Sequence, residues 1–307
     1  MFISQGVAKE NVFWKYLLGS FILFCASLVG QLPFILGVYI KSYTQKLPYP
    51  NSYEATMGYL ESNLSLLLML VSFVFVFFQL YVLVRFFHKQ SFTQIITSRK
   101  TMDWNRVFFS FFIWAGITIC TTIGFYILYP EDFIVQFDWM PFLGLFVVGL
   151  LLFPFQIGTE ELIFRGYLMQ GFGNLAHNKW FPLVMTSIIF GLLHIANPEV
   201  DKMGYGILIY YIGTGFFLGI ITLMDEGMEL ALGFHFANNF IAALLVTSDW
   251  TAFQTHSILK STSDPSVFFD IVLPVSFIFP IIVLLFAKKY HWTNWREKLT
   301  GSIKYNK

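Results

Sequence analysis

Charge is scarce in this sequence. Of its 307 residues only 12% are Asp, Glu, Lys or Arg, against about 25% in an ordinary soluble domain. That leaves too little polar surface to cover a water-soluble body of this size. Several apolar runs also exceed the roughly 18 residues that mark a spanning helix, so one large soluble core is excluded. Cysteine is nearly missing: Cys25 and Cys120 both lie inside apolar runs, where neither spacing nor context points to a metal knuckle or a disulfide. A dense basic patch interleaved with aromatics is missing too, and the formal net charge is only +1; no nucleic-acid partner is expected. Internal repeats, low-complexity tracts and an appended soluble domain are absent from the sequence as well.

Apolar and aromatic side chains are plentiful, at 56% and 20% of the chain. They predict an all-α fold, a polytopic membrane helix bundle of about eight transmembrane helices. The expected spans are Tyr16–Ile40, Leu64–Phe87, Val107–Leu128, Pro141–Phe164, Phe181–Ile195, Tyr205–Met224, Ala231–Val246 and Val267–Ala287. The first follows Lys9 and Lys15, outruns the apolar region of a cleavable signal and carries no clear cleavage site, so it reads as a retained span. The fifth and seventh are short for a crossing, and short spans occur where protein or water lines a cavity.

Lysine and arginine set the orientation. Arg85, Lys89, Arg99, Lys100 and Arg106 lie between the second and third spans, and Lys288, Lys289, Arg296, Lys298, Lys304 and Lys307 lie in the tail. The loop after the third span carries only Glu131, Asp132 and Asp138. An even number of spans with both termini cytoplasmic fits these facts, although Lys41 and Lys46 fall on the opposite side. The basic, partly apolar stretch Phe92–Asn105 is expected along the inner membrane surface. Residues 1–140 read as N-terminal transmembrane helices, 141–250 as a membrane core, and 251–307 as the last transmembrane helix with a basic cytoplasmic tail.

The informative residues are those that do not belong in lipid, since a charge at the bilayer centre costs at least ~2.5–3.5 kcal/mol. Glu160-Glu161 precedes Arg165 at the end of the fourth span. Adjacent carboxylates sit about 100° apart on a helix, so Glu161 can pair with Arg165 one turn on while Glu160 points elsewhere and can hold a water. His194 lies deep in the short fifth span. His235 and Asn239 lie one turn apart on one face of the seventh. Taken singly, each of these has a plain structural reading: solvated charges at a helix end, a hydrogen-bonded histidine, polar contacts between helices. Taken together, they supply a carboxylate and an imidazole that can share and deprotonate a water. They also supply an imidazole and a carboxamide that can hold an oxyanion.

The three motifs, Glu160-Glu161 with Arg165, Phe190 with His194, and His235 with Asn239, resemble those of the CPBP family, the CAAX-prenyl-protease and bacteriocin-processing (Abi) proteins. The resemblance covers about 90 residues, from the end of the fourth span through the seventh; the rest of the chain matches only in being membrane-spanning. It implies an intramembrane endopeptidase in which Glu160 and His194 activate water. His235 and Asn239 would form the oxyanion site, with Glu161 and Arg165 in support. The partners implied are the lipid bilayer and a peptide or protein substrate, membrane-anchored ones included.

No cofactor is expected. The alternative is a zinc-dependent protease with Glu160, His194 and His235 as ligands and water as the fourth. Against it stand the lack of a His-Glu-x-x-His helix and the presence of Asn239, a good oxyanion donor and a poor zinc ligand. A non-catalytic scaffold or immunity-type protein of the same fold is the other alternative. A transporter is disfavoured because all motif residues fall in one half, without a paired half of matching broken helices. One tension concerns depth. A fourth span ending at Phe164 leaves Glu160 near the cytoplasmic side and His194 deeper; a helix continued past Arg165 toward Gly173 removes it.

Overall fold

Proline and helix caps decide where the apolar runs break. The computed structural model describes residues 1–6 and 12–303; Lys9, Lys304 and Lys307 of the orientation argument lie outside them. The first expected span is two helices, α1 (Phe13–Gly30) and α2 (Leu32–Gln45). Pro33 falls in the first turn of α2, where its missing N–H costs nothing. A short α3 (Tyr53–Met57) leads to α4 (Ser62–Val82), whose N-terminus is capped by the Glu61 carboxylate accepting from the N–H groups of Asn63 and Leu64. Asp103 and Asp138 cap α5 (Trp104–Leu128) and α6 (Trp139–Glu161) in the same way.

The fourth span is longer than its hydropathy indicates. α6 runs through a wide π-type turn, Leu162–Leu168, into α7 (Met169–Ala176). Then follow α8 (Trp180–Leu192), α9 (Pro198–Met203), α10 (Leu208–Asp225), α11 (Glu229–Leu245), α12 (Phe279–Lys289, preceded by π-turns from Phe268) and α13 (Trp295–Thr300). Among the described residues six helical segments are long and apolar enough to cross a membrane, while α8 and α11 are the two shorter apolar helices. The protein is a polytopic helical bundle, integral to the membrane.

Close packing rests on aromatic rings and small residues. Phe217 stacks on Phe279 (centroids 4.7 Å apart) and meets Phe234 (4.6 Å), which packs on Trp114 (4.4 Å). α11 lies along α5, α10 along α8, and α4 along α6. α11 approaches α5 at Gly233, where any β-carbon would run into the Val107 carbonyl oxygen.

The two ends of the bundle differ. At one, β1 (Phe133–Val135), β3 (Leu259–Ser261) and β2 (Val246–Thr247) form a small sheet in that order, with Phe133 opposite Ser261 in its antiparallel pair. At the other, the Phe2 N–H donates to Glu226 Oε2 (2.6 Å), and the Ile303 N–H donates to the His177 carbonyl (2.8 Å). Both described chain ends therefore dock on the same end of the molecule.

The Phe92–Asn105 stretch lies at the end of the bundle that holds the described chain ends, where Gln5 donates to the Thr97 carbonyl. It makes one short turn, Phe92–Ile95, with Ile95 buried. It then docks on the α10–α11 turn, where Arg99 reaches both Asp225 and Glu229 at 3.0 Å. Buried acids hold it against protein.

Candidate active site

The polar groups singled out in the sequence gather between α6, α11 and the end of α8. Glu161 and Arg165 form the expected one-turn pair, Nη1 to Oε1 at 2.9 Å, with side chains 0% and 1% exposed. The π-turn keeps the guanidinium inside the bundle. It donates further to the Gly215 carbonyl (3.4 Å) and lies over the Phe190 ring, 4.4 Å from its centre. A buried ion pair survives only with such added partners.

The same Glu161 oxygen also accepts from His235 Nδ1 at 2.8 Å. A carboxylate there holds the proton on Nδ1 and leaves Nε2 facing the site. Nε2 stands 3.6 Å from Glu160 Oε2, too far for a direct hydrogen bond and close enough for one water to touch both. Glu160 thus points away from Arg165, as helix geometry requires, and its Oε1 accepts from Gln156 Nε2 at 3.2 Å.

His194 stands in the turn just beyond α8. Its Nδ1 lies 2.7 Å from the Phe190 carbonyl, an acceptor, so Nδ1 carries the proton and Nε2 is left bare. Tyr211 of α10 stacks on the imidazole, with centroids 4.3 Å apart and planes 21° apart. Glu160, His235 and Arg165 all lie near enough to act on it electrostatically. Phe190 therefore has two tasks, its carbonyl orienting His194 and its ring face holding Arg165.

The continuation of α6 removes the depth mismatch. Counting back from the His177 turn, Glu160 lies roughly 24 Å along α7 and α6, and His194 roughly 21 Å along α8. Asn239, one turn beyond His235, donates to Gln156 Oε1 (3.4 Å) and accepts from Asn238 (3.0 Å). Glu160, Glu161, Arg165, His194, His235 and Asn239 are thus brought to one place. Gln156 and Tyr211 escaped the sequence reading. Gln156 left a signal, a polar residue one turn before Glu160 in an apolar run; Tyr211 left none, because tyrosines are common in these helices.

The bundle and its partly buried cluster of carboxylates, imidazoles and amides define a membrane-embedded protein with the groups of a hydrolase. Residues 138–241, which contain all six, match the family described as type II CAAX prenyl endopeptidase Rce1-like. That match makes this segment similar to the CAAX-protease group which the three motifs resemble, a family of peptidases acting in a membrane. The chain is also similar to "Uncharacterized protein YyaK" of Bacillus subtilis (strain 168), 27% identical over 290 residues that cover 93% of this chain and 96% of the relative. No solved structure matches the chain.

Proposed function

We propose that the protein is an intramembrane endopeptidase that cleaves a peptide bond with a water held by Glu160 and His194. Glu160 takes the proton from the attacking water and passes it to the departing amine, while the bare Nε2 of His194 helps to hold the water in line. The carbonyl oxygen, negative in the tetrahedral intermediate, meets the Asn239 amide and His235. With Nδ1 committed to Glu161, His235 turns Nε2 toward the site, and the Glu161 carboxylate lies where it balances any charge the imidazole takes up there. Arg165 holds Glu161 in place through their one-turn pair. The observation that carries this reading is the single Glu161 oxygen shared by Arg165 and His235, which sets His235 Nε2 opposite Glu160.

The reaction in this reading needs no metal. What supports it is Asn239, a carboxamide suited to an oxyanion and a poor zinc ligand; the Nδ1 bonds of the two imidazoles do not discriminate, since they leave Nε2 open for a metal as much as for water. The substrate is a peptide or protein whose cleavable bond reaches membrane depth. In this reading both termini face the cytoplasm: the end of the bundle that holds the described chain ends also carries Arg85, Lys89, Lys100, Lys288 and Lys289.

The test is cleavage by detergent-purified protein of a quenched fluorescent peptide panel, prenylated CAAX peptides and unmodified peptides included. Glu160→Ala, His194→Ala and His235→Ala are expected to fold and lose cleavage, and a strong chelator to change nothing. Cleavage by folded Glu160→Ala at the parent rate would refute the assignment. Loss of cleavage with chelator, restored by zinc, would move the reaction to a metal-dependent form. A panel left wholly uncut would favour a non-catalytic membrane scaffold.

A further inference from the structure

Two side chains of the motifs are joined in a row with three that the motifs do not include. The Trp114 indole N–H donates to Asn238 Oδ1 (3.1 Å), Asn238 Nδ2 to Asn239 Oδ1 (3.0 Å), Asn239 Nδ2 to Gln156 Oε1 (3.4 Å), and Gln156 Nε2 to Glu160 Oε1 (3.2 Å). The row crosses from α5 through α11 to α6. Trp114 and Gln156 are 8% and 5% exposed, and buried polar groups persist where partners satisfy them.

The two ends fix its direction. An indole N–H only donates, so the Asn238 atom facing it is the carbonyl oxygen. The Asn238 nitrogen then faces Asn239, whose own nitrogen faces Gln156, whose nitrogen faces Glu160. Turning any one amide over sets like atoms against each other at both of its joints. An ionised Glu160 only accepts, which closes the row from the other side.

We infer that Gln156 is a positioning residue, and that the row from Trp114 through Asn238, Asn239 and Gln156 to Glu160 is one relay that aligns the water-activating carboxylate with the oxyanion amide. This rests on the roles given above to Glu160 and Asn239. Donation from Gln156 to Oε1 turns the other carboxylate oxygen, Oε2, toward His235. Asn239 gives one of its two N–H groups to Gln156 and keeps the second for the oxyanion. Hydrogen bonds in such a row polarise one another in a low dielectric, so losing one link loosens both ends.

The test uses the full-length protein in detergent, labelled with 15N-tryptophan, with the Trp114 indole signal identified as the one lost in Trp114→Phe. Gln156→Met removes a link far from the indole, yet it is expected to move that signal and leave the other indoles in place. On cleavable peptide, kcat is expected to fall roughly 10- to 100-fold, the scale for losing an orienting partner, with KM little changed. Gln156→Glu keeps the size but sets oxygen against Glu160, and is expected to fall at least as far. Asn238→Leu combined with Gln156→Met is expected to cost little more than either alone, because both cut one relay.

An unmoved Trp114 signal in Gln156→Met overturns the relay. So does an unchanged kcat in Gln156→Met while Glu160→Ala is inactive, and that result leaves the peptidase reading standing. If Glu160→Ala itself cleaves, the peptidase roles fall, and the indole signal decides the relay alone.

Discussion

One oxygen of Glu161 accepts from both Arg165 and His235 (2.9 and 2.8 Å), and the consequences of that double bond differ for stability and for chemistry. Glu161→Ala leaves the Arg165 guanidinium buried without its counter-charge, at a cost of about 3–5 kcal/mol. It is expected to lower the unfolding temperature sharply and to reduce yield. The double variant Glu161→Gln with Arg165→Met removes both charges at nearly constant volume, and buried pairs so replaced are often neutral or stabilising. Its unfolding temperature is expected to return close to the parent value while cleavage stays lost, since His235 Nδ1 no longer has the Glu161 carboxylate to orient it. Thermal unfolding and peptide cleavage on the same preparation read the two effects apart. A double variant that cleaves normally would remove Glu161 from the reaction.

At the scale of elements, α11 carries both His235 and Asn239, and its height is set where Gly233 meets the Val107 carbonyl of α5. Gly233→Ala forces the two backbones apart just two residues before His235. It is expected to lower both the unfolding temperature and kcat, although no polar group changes. Gly116, also on α5, has nothing within 4 Å of a built β-carbon. Gly116→Ala should therefore be neutral or stabilising, by up to about 1 kcal/mol from helix propensity, with cleavage unchanged. Equal effects of the two substitutions would show that contact at Gly233 does not set the site.

The elements also show what the sequence made legible. Six long apolar segments and two short ones were readable from hydropathy, because lipid imposes a simple length rule on helices. The extension of α6 to Ala176 was open in the sequence only as one way to match depths, because the charges at Glu160, Glu161 and Arg165 look like a helix end until their partners are known. Those partners, Gly215 on α10, Phe190 on α8 and His235 on α11, lie some 25 to 75 residues away along the chain. The pairing of Glu161 with Arg165 was legible, since it depends only on helical spacing. The stack of Tyr211 on His194 and the place of Gln156 depend on how separate helices meet, which spacing does not encode.

For the molecule as a whole, the two ends of the bundle are chemically unlike, and this bears on orientation. The end that holds both described chain termini also holds Arg99 and Arg106, which share Asp225 at the α10–α11 turn. Lys41, at the other end, is not a stray positive charge: its Nζ donates to the Tyr59 carbonyl at 2.6 Å, a local contact that counts for little against the cluster of cations opposite. In protein carrying Cys25→Ser and Cys120→Ser, a new thiol at Lys100→Cys is expected to react with a membrane-impermeant reagent only after cells are opened. One at Glu131→Cys, in the acidic loop before β1, should react in intact cells. The reverse pattern would place both termini outside and invert the side from which a substrate reaches Glu160. Reaction of both thiols in intact cells would refute the crossing of α5 between them, because Trp104–Leu128 alone separates the two positions.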